Sequence, residues 1–394
     1  RIREEIADGK SVATAIETGF ARARSAILDG NITTLIAAAV LGLRGSGTVK
    51  GFASTLAIGI ILSMFTCMVV TKVLMHAVYA IGVRDAKFYG KAKERKPFDF
   101  VGKTGIFIAI SCAIIVCGCV GVGMHKSSDG TILNYSLEFK GGTSTAVVMD
   151  KQYSIKEIVP LVEKITGDGN VQAQAVEGTK QIIIKTRTLS LEERTKLEKT
   201  MTKNFGVDKK DITSESISST VSNEMKTDAI VAVVIATICM LLYIWFRFKD
   251  VRFAGSAVIA LSHDVIMVFI CYVLAWISVG NTFIACMLTI IGYSINNTIV
   301  IFDRIRDALK KHHAQTKAAY KEIVNKSIAQ TMSRSVNTSI TTFVMVLVLY
   351  IMGVTSIREF ALPLMVGLLA GTYSSICLAS EIWYLLRTKG MKKE

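Results

Sequence analysis

Long apolar stretches alternate along the chain with short polar and basic ones. Runs of about 20 apolar residues, enough helix to cross roughly 30 Å of hydrocarbon, fall near 26–43, 51–75, 104–124, 227–247, 253–276, 282–302, 333–353 and 360–386. The first is short and studded with Thr and Asn. This pattern predicts a polytopic α-helical membrane protein with eight helices. It breaks between residues 125 and 225, where strand alternation and helical periodicity take over. There 133–139 alternates like a strand, Gly141-Gly142 can turn the chain, and 144–149 reads as a returning strand. Helical periodicity over 154–166 starts at Ser154, an N-cap with Glu157 three residues on as a capping box. A strand at 171–176, a turn at Gly178-Thr179, a strand at 181–185, a helix at 191–205 and a strand at 212–217 follow. Two helices on one face of a small sheet, an α+β domain in ferredoxin-like style, fit this order.

Composition refines the picture. The chain of 394 residues is 51% hydrophobic, and its 46 Lys/Arg against 31 Asp/Glu leave a net charge of +15. Residues 125–225 hold 14 of each sign, so the basic excess lies wholly in the membrane part. It collects in 76–103 (Arg84, Lys87, Lys91, Lys93, Arg95, Lys96), around 247–252, in 303–332 and at Lys392-Lys393. Threading the eight helices puts all of these on one face, as the positive-inside rule requires of the cytoplasm, and sends 125–225 to the outer side. Both chain ends then lie in the cytoplasm. That distribution argues against a nucleic-acid partner. All eight cysteines fall inside the apolar runs, with no His at metal-ligand spacing, and read as small packing residues rather than a metal site or disulfides. No signal peptide is visible, and the first residue is Arg.

One stretch repeats. The helix at 282–302 carries Asn296 and Asn297 and empties into Asp303-Arg304-Ile305-Arg306-Asp307, while the chain opens on Arg1-Ile2-Arg3-Glu4-Glu5. A shift of 308 aligns 31–62 with 339–370 without a gap, with ten identities in 32, among them Thr33/Thr341, Thr34/Thr342, Gly45/Gly353, Phe52/Phe360 and Gly59/Gly367. The protein therefore reads as a tandem repeat of a membrane bundle. Parallel repeats of this kind build transporters in which one half moves against the other. The second copy has one helix, a large exported insert and five more helices. The first retains only its last two, so four helices and another exported insert are expected before Arg1, in a twelve-helix whole. The organisation expected is 1–80 for the first-copy helices, 81–103 a basic linker, 104–124 the first helix of the second copy, 125–225 the exported domain, 226–388 a five-helix bundle, and 389–394 a tail.

Specific motifs give a resemblance. Leu137-Glu138-Phe139-Lys140-Gly141-Gly142-Thr143, Leu261-Ser262-His263-Asp264-Val265, GYSINNTIVIFDRIRD at 292–307 and MSRSVNTSITT at 332–342 look like SecF. RIREE at the start, DGNITTLIAA at 29–38 and GTVKGFASTLAIGIILSMFT at 47–66 look like the tail of SecD. Joined by a basic loop, they resemble the fused SecDF proteins, over essentially the whole chain and more loosely in the exported domain. The resemblance implies an accessory of the Sec translocon channel in the bacterial cytoplasmic membrane, related to the resistance-nodulation-division transporters. Such proteins use the proton motive force to pull unfolded exported polypeptides outward and prevent backsliding. No cofactor or metal is implied; the expected partners are the channel, the exported chains, the lipid bilayer and protons.

Polar groups within the apolar runs need a reason, since a charge there costs about 2.5–3.5 kcal/mol on insertion scales. Asp264 lies about halfway along its helix beside His263. It reads either as a proton-accepting carboxylate or as a structural one held by neighbouring helices. Neighbouring residues on a helix point about 100° apart, so His263 need not share its partner. Arg334, at the cytoplasmic entry of its helix, reads by position as a snorkelling or positive-inside arginine. The resemblance assigns it instead to the family arginine paired through space with membrane acids of the proton relay. Asn296 and Asn297 depart from the family: SecF members often carry an Asp at the position of Asn297, and the SecD-like copy carries one before its Arg-Ile-Arg. Amides cannot titrate, so the main acid is expected on the helix preceding Arg1, and the two Asn residues hold helices together or hydrogen-bond that acid. Asp29, Asn31, Thr33 and Thr34 in the first copy, and Asn337, Ser339, Thr341 and Thr342 in the second, form matched polar patches. Each serves interhelical hydrogen bonding or lines a hydrated proton path. His312-His313 reads as solvated surface.

Three functions fit the pattern. Proton-driven protein export leads; a small-molecule exporter of the same superfamily and a passive translocon assembly or chaperone factor are the rivals. The exported insert of about 100 residues is short for a drug-conducting funnel, whereas Asn297 favours a passive factor. No residue constellation supports an enzyme.

Overall fold

Seven of the eight apolar runs fold as helices longer than their apolar part, and the run 253–276 gives a helix of its own length, Val251–Leu274. The structure, a computed structural model, describes all residues except 45–46, 91–96, 130–131, 150–154, 170, 176–179, 313, 354 and 392–394. Among the described residues eight helices are long and apolar enough to cross a membrane: Val12–Arg44, Lys50–Ala80, Val101–Lys126, Ser219–Phe248, Val251–Leu274, Asn281–Lys311, Lys317–Met352 and Ile357–Thr388. The helical elements are α1 (Ile2–Ala7), α2 (Val12–Arg44), α3 (Gly47–Phe65), α4 (Thr71–Ala80), α5 (Thr104–Asp129), α6 (Leu137–Lys140), α7 (Ile155–Thr166), α8 (Leu191–Phe205), α9 (Ser219–Phe248), α10 (Val251–Leu274), α11 (Asn281–Lys311), α12 (Lys317–Met352), α13 (Thr355–Ser374) and α14 (Ser380–Thr388). Polar flanks stay helical because helix propensity does not require an apolar side chain. This corrects the placing of Arg334 at a helix start: α12 begins at Lys317, where the Thr316 hydroxyl accepts from Ala319 N at 3.2 Å, and Arg334 lies midway along it.

Helix α11 runs through the centre, buried on almost every side, with α2, α10 and α13 packed around it. At the end of the bundle carrying the 249–250 and 312–316 connections, aromatic rings lock the helices. Phe253 of α10 stacks on Trp383 of α14 at 4.8 Å and meets Phe302 of α11 at 4.9 Å.

The repeat is visible in three dimensions. Phe52 of α3 meets its counterpart Phe360 of α13 edge to face. The two basic-acidic signatures also meet reciprocally. Arg304 pairs with Glu4 at 3.5 Å, and Arg1 reaches Asp307 at 4.0 Å, the same pair with the copies exchanged. Contacts of that kind are what a two-fold relation between copies produces. Each copy also breaks its last helix with one π-helical segment, Thr66–Val70 after α3 and Ser375–Ala379 after α13, equivalent to within one residue.

The α+β unit has strands β1 (Gly142–Val148), β2 (Gln172–Ala175), β3 (Gln181–Thr186) and β4 (Ile212–Ile217) in the order β2-β3-β1-β4, all antiparallel. With α7 between β1 and β2 and α8 between β3 and β4, this is the ferredoxin-like βαββαβ arrangement. Strict alternation in β3 turns Ile182 and Ile184 to one face, where they join Val147, Ile158, Val162, Leu197 and Met201 in a core separate from the bundle. The capping box of α8 is formed by Ser190 and Glu193. The Ser154 cap and the Gly178-Thr179 turn lie outside the described residues.

Segment 133–139 differs from its expected strand. It pairs with the bundle instead of the sheet: Tyr135 bridges Val279 in parallel, Val279 N donates to Asn134 O at 2.7 Å, and residues from Leu137 coil into α6. Phe139 is buried in the membrane-side core, so the apolar alternation reports a contact with helices. Gly141 (φ +74°) ends α6 in a conformation that suits glycine, and Gly142 begins β1, so the pair is a cap and not a hairpin turn. The cysteines are also not uniform packing residues. All eight are free, but Cys112, Cys117 and Cys119 face outward from α5, whereas Cys286 is buried.

Candidate functional site

Small residues along α10, among them Ala254, Ser256, Ala257 and Ala260, let neighbouring helices approach closely, and Asp264 points into the packed interior with no exposed surface. Three side chains satisfy it. Ser294 Oγ of α11 donates to Oδ2 at 2.5 Å, Ser374 Oγ of α13 donates to the same oxygen at 2.7 Å, and His263 Nδ1 lies 3.0 Å from Oδ1. The two adjacent residues thus share no third partner, as their spacing allows, but bond to each other. One carboxylate joins α10, α11 and α13. With Nδ1 occupied by Asp264, His263 Nε2 is left buried without a partner among the described residues, and the imidazole ring lies 5.9 Å from that of Tyr373. Tyr373 donates to Phe107 O at 2.6 Å and shares a hydrogen bond with Ser111 Oγ at 3.2 Å, which ties α5 to the same cluster.

A second constellation lies on the side of α11 that meets the first copy. Asp29 of α2 accepts from Arg247 Nε of α9 at 2.7 Å and from the Tyr243 hydroxyl at 2.8 Å. Arg247 Nη2 also reaches Asp303 Oδ1 of α11 at 3.5 Å, and Arg306 donates to that oxygen at 2.6 Å. Arg247 is therefore not a free loop charge but the centre of a network joining three helices. A buried ion pair holds together only when its remaining groups are hydrogen-bonded, as these are.

The other predicted residues are distributed differently. Asn296 packs its side chain against Gly30 of α2, where any Cβ would overlap Asn296 Oδ1. Asn297 is buried, and its Nδ2 has no partner among the described residues. Thr33 and Thr34 donate to Gly30 O, Asn31 to Ile27 O, and Thr341 and Thr342 to Thr338 O, all within their own helices. Such back-bonding satisfies a hydroxyl or amide without joining helices. Ser339 does join them, accepting from Tyr293 at 3.0 Å and from Thr372 at 2.6 Å. Arg334, Asn337 and Thr341 lie on one exposed face of α12, and Arg334 makes no ion pair among the described residues. Among the described residues no group of His, Cys, Asp and Glu is placed to hold a metal ion. His312 is exposed; His313 lies outside the described residues.

The family described as Protein export membrane protein SecD/SecF, C-terminal, matches residues 197–389. Protein translocase subunit SecF of Alicyclobacillus acidocaldarius is 33% identical over 299 residues, covering 75% of this chain and 95% of that protein. The chain belongs to the SecD/SecF family. Protein translocase subunit SecDF of Bacillus subtilis is 33% identical over 415 residues, covering the whole of this chain and 55% of that one. The crystal structure of SecDF, described as a translocon-associated membrane protein, from Thermus thermophilus matches with a TM-score of 0.85 at 32% identity, over 99% of this chain and 52% of that one. SecDF in its super-membrane-facing form matches with a TM-score of 0.70. The chain thus spans SecF and part of SecD, about half the length of the SecDF proteins it matches.

Proposed function

We propose that this chain forms the C-terminal membrane half of a Sec translocon accessory protein that uses the proton motive force to promote polypeptide export. The bilayer of a bacterial cytoplasmic membrane surrounds it, the α+β unit lies outside, and the basic connections lie in the cytoplasm. The observation that carries the reading is Asp264: a carboxylate buried mid-bundle that draws donors from two other helices on one oxygen and the His263 imidazole on the other. A proton on Asp264 removes the charge those hydroxyls solvate, so protonation and helix packing are coupled. His263 is the group placed to exchange that proton. Arg334, Asn337 and Thr341 contribute a polar face to the same pathway, Asn296 packs against Gly30 of the first copy, and neither Asn296 nor Asn297 can carry the proton.

Movement of α11 passes outward through Glu138, whose Oε2 accepts from Asn281 N at the start of α11 at 2.8 Å. The partners in this reading are the Sec channel, the unfolded exported chain and protons. The experiment is proton-gradient-dependent release of an export substrate from membrane vesicles, comparing the full-length parent with its Asp264→Asn and Arg334→Ala forms. Loss of gradient dependence with normal insertion supports the reading. Unchanged release in both variants removes Asp264 and Arg334 from the relay.

A further inference from the structure

One buried acid takes no part in the network around Asp264. Glu381 of α14 has no exposed surface, and neither of its carboxylate oxygens has a hydrogen-bond partner among the described residues. It lies two residues beyond the π-helical segment Ser375–Ala379, and two neighbours share its condition: Ser380 Oγ and Trp383 Nε1 are also buried without partners among the described residues. π-Helical interruptions of this kind occur frequently at functional sites.

An ionised carboxylate in such a place would lack both water and donors, which is costly enough that buried charges are ordinarily found paired. The helices packed on α14 offer no compensation among the described residues. Phe253 of α10 and Phe302 of α11 are aromatic, and Tyr320 of α12 hydrogen-bonds Arg387 at 3.3 Å. Cys377 and Tyr373, earlier along the same helical stretch, lie within electrostatic reach of Glu381. What this setting accommodates is a carboxyl that holds a proton.

Its place along the bundle gives that proton a use. Ser374, which donates to Asp264, precedes Glu381 by seven residues, and α14 ends at Thr388, seven residues beyond. Each interval is about 10 Å of helix. The stretch from Asp264 begins with buried hydroxyls, Thr298 donating to Ser375 at 3.1 Å beside Ser374. We propose that Glu381 is a second proton-exchanging carboxyl of this membrane bundle, a station between Asp264 and the cytoplasmic end of α14. The proposal rests on the reading of Asp264 as a proton carrier and extends its pathway toward the basic face.

Infrared difference spectroscopy of the full-length protein in membranes tests it directly. The wild type should show a protonated carboxyl band that shifts on hydrogen–deuterium exchange, is lost in Glu381→Gln and moves in frequency in Glu381→Asp. Superimposable spectra of wild type and Glu381→Gln would overturn the proposal; if the Gln form fails to insert, wild type against Glu381→Asp decides in the same way. In the vesicle assay, Glu381→Gln should slow gradient-driven release by up to roughly a hundredfold, the lower range of what a positioned proton-transfer group contributes, while Glu381→Asp retains most of it. If Asp264→Asn abolishes gradient dependence and Glu381→Gln does not alter it, the second station falls and the reading of Asp264 stands. If neither variant matters, both fall.

Discussion

Phe52 and Phe360, 308 positions apart, meet edge to face with ring centroids 5.8 Å apart and planes at 69°. Equivalent residues that touch each other lie on the axis relating the two copies, so this contact marks that axis. An aromatic pair in this geometry contributes about 0.5–1.5 kcal/mol beyond its buried area. Phe52→Leu and Phe360→Leu should therefore show a coupling energy of that size in a double-mutant cycle read by thermal unfolding in detergent. A coupling indistinguishable from zero would mean that the rings are neighbours without being an energetic hinge.

The Asp29–Arg247 pair should behave as a strut. Removing one partner leaves an uncompensated charge in a largely buried site, at a cost of about 3–5 kcal/mol. Arg247 is about one-fifth exposed, so the lower end of that range applies. Asp29→Ala or Arg247→Ala should lower the unfolding temperature clearly. The Asp29→Leu/Arg247→Met double variant should cost less than the sum of its parts.

Loss of either serine donor to Asp264 should weaken the bundle by about 1.5–3 kcal/mol, the contribution of a hydrogen bond to a charged group. If Asp264 exchanges a proton, Ser294→Ala and Ser374→Ala should also shift the pH dependence of export, since each removes a donor that favours the ionised form. An unmoved pH profile with lowered stability would indicate a purely structural carboxylate.

Gly30→Ala forces a methyl group into Asn296, and overpacking of this sort costs about 1–3 kcal/mol. Asn296→Ala should restore stability to the Gly30→Ala variant. No rescue would place the strain in the backbone of α2 rather than at its contact with α11.

The α+β unit carries its own acid-sensitive bond. Hydrogen bonding from the Arg187 guanidinium holds the Glu193 carboxyl down at about 2, below its ordinary 4.5. A depressed acid contributes stability that is present above its unfolded value and lost as pH falls through the folded one. The gap in unfolding temperature between wild type and Glu193→Gln, open at neutral pH, should close as the pH falls from about 4.5 toward 2. A gap that persists at the acid limit would assign the effect of Glu193 to the capping box alone.

Legibility in the sequence followed the range of the interaction. Asp264 stands out in sequence as an acid within an apolar run, and Glu381 carries the same signal, but its place near the end of the run 360–386 makes it look like flanking polarity. Arg247 shows the opposite effect. Its neighbours Lys249 and Arg252 make it look like one more cytoplasmic charge, and only the fold brings Asp29 to it. The segment 133–139 alternates as a strand would, because its apolar side chains line up equally well against helices.

By itself the sequence determined the eight helices, the duplication and the four strands and two helices of the sheet unit beyond residue 141, because hydrophobic length, period and internal identity are local or purely serial properties. Tertiary structure decided which polar groups meet. Ser294 and Ser374 reach Asp264 from 30 and 110 positions away, and Arg247 reaches Asp29 across 218. Those meetings depend on the rotation and depth at which each helix packs on the next, and the spacing of residues along one chain does not encode either.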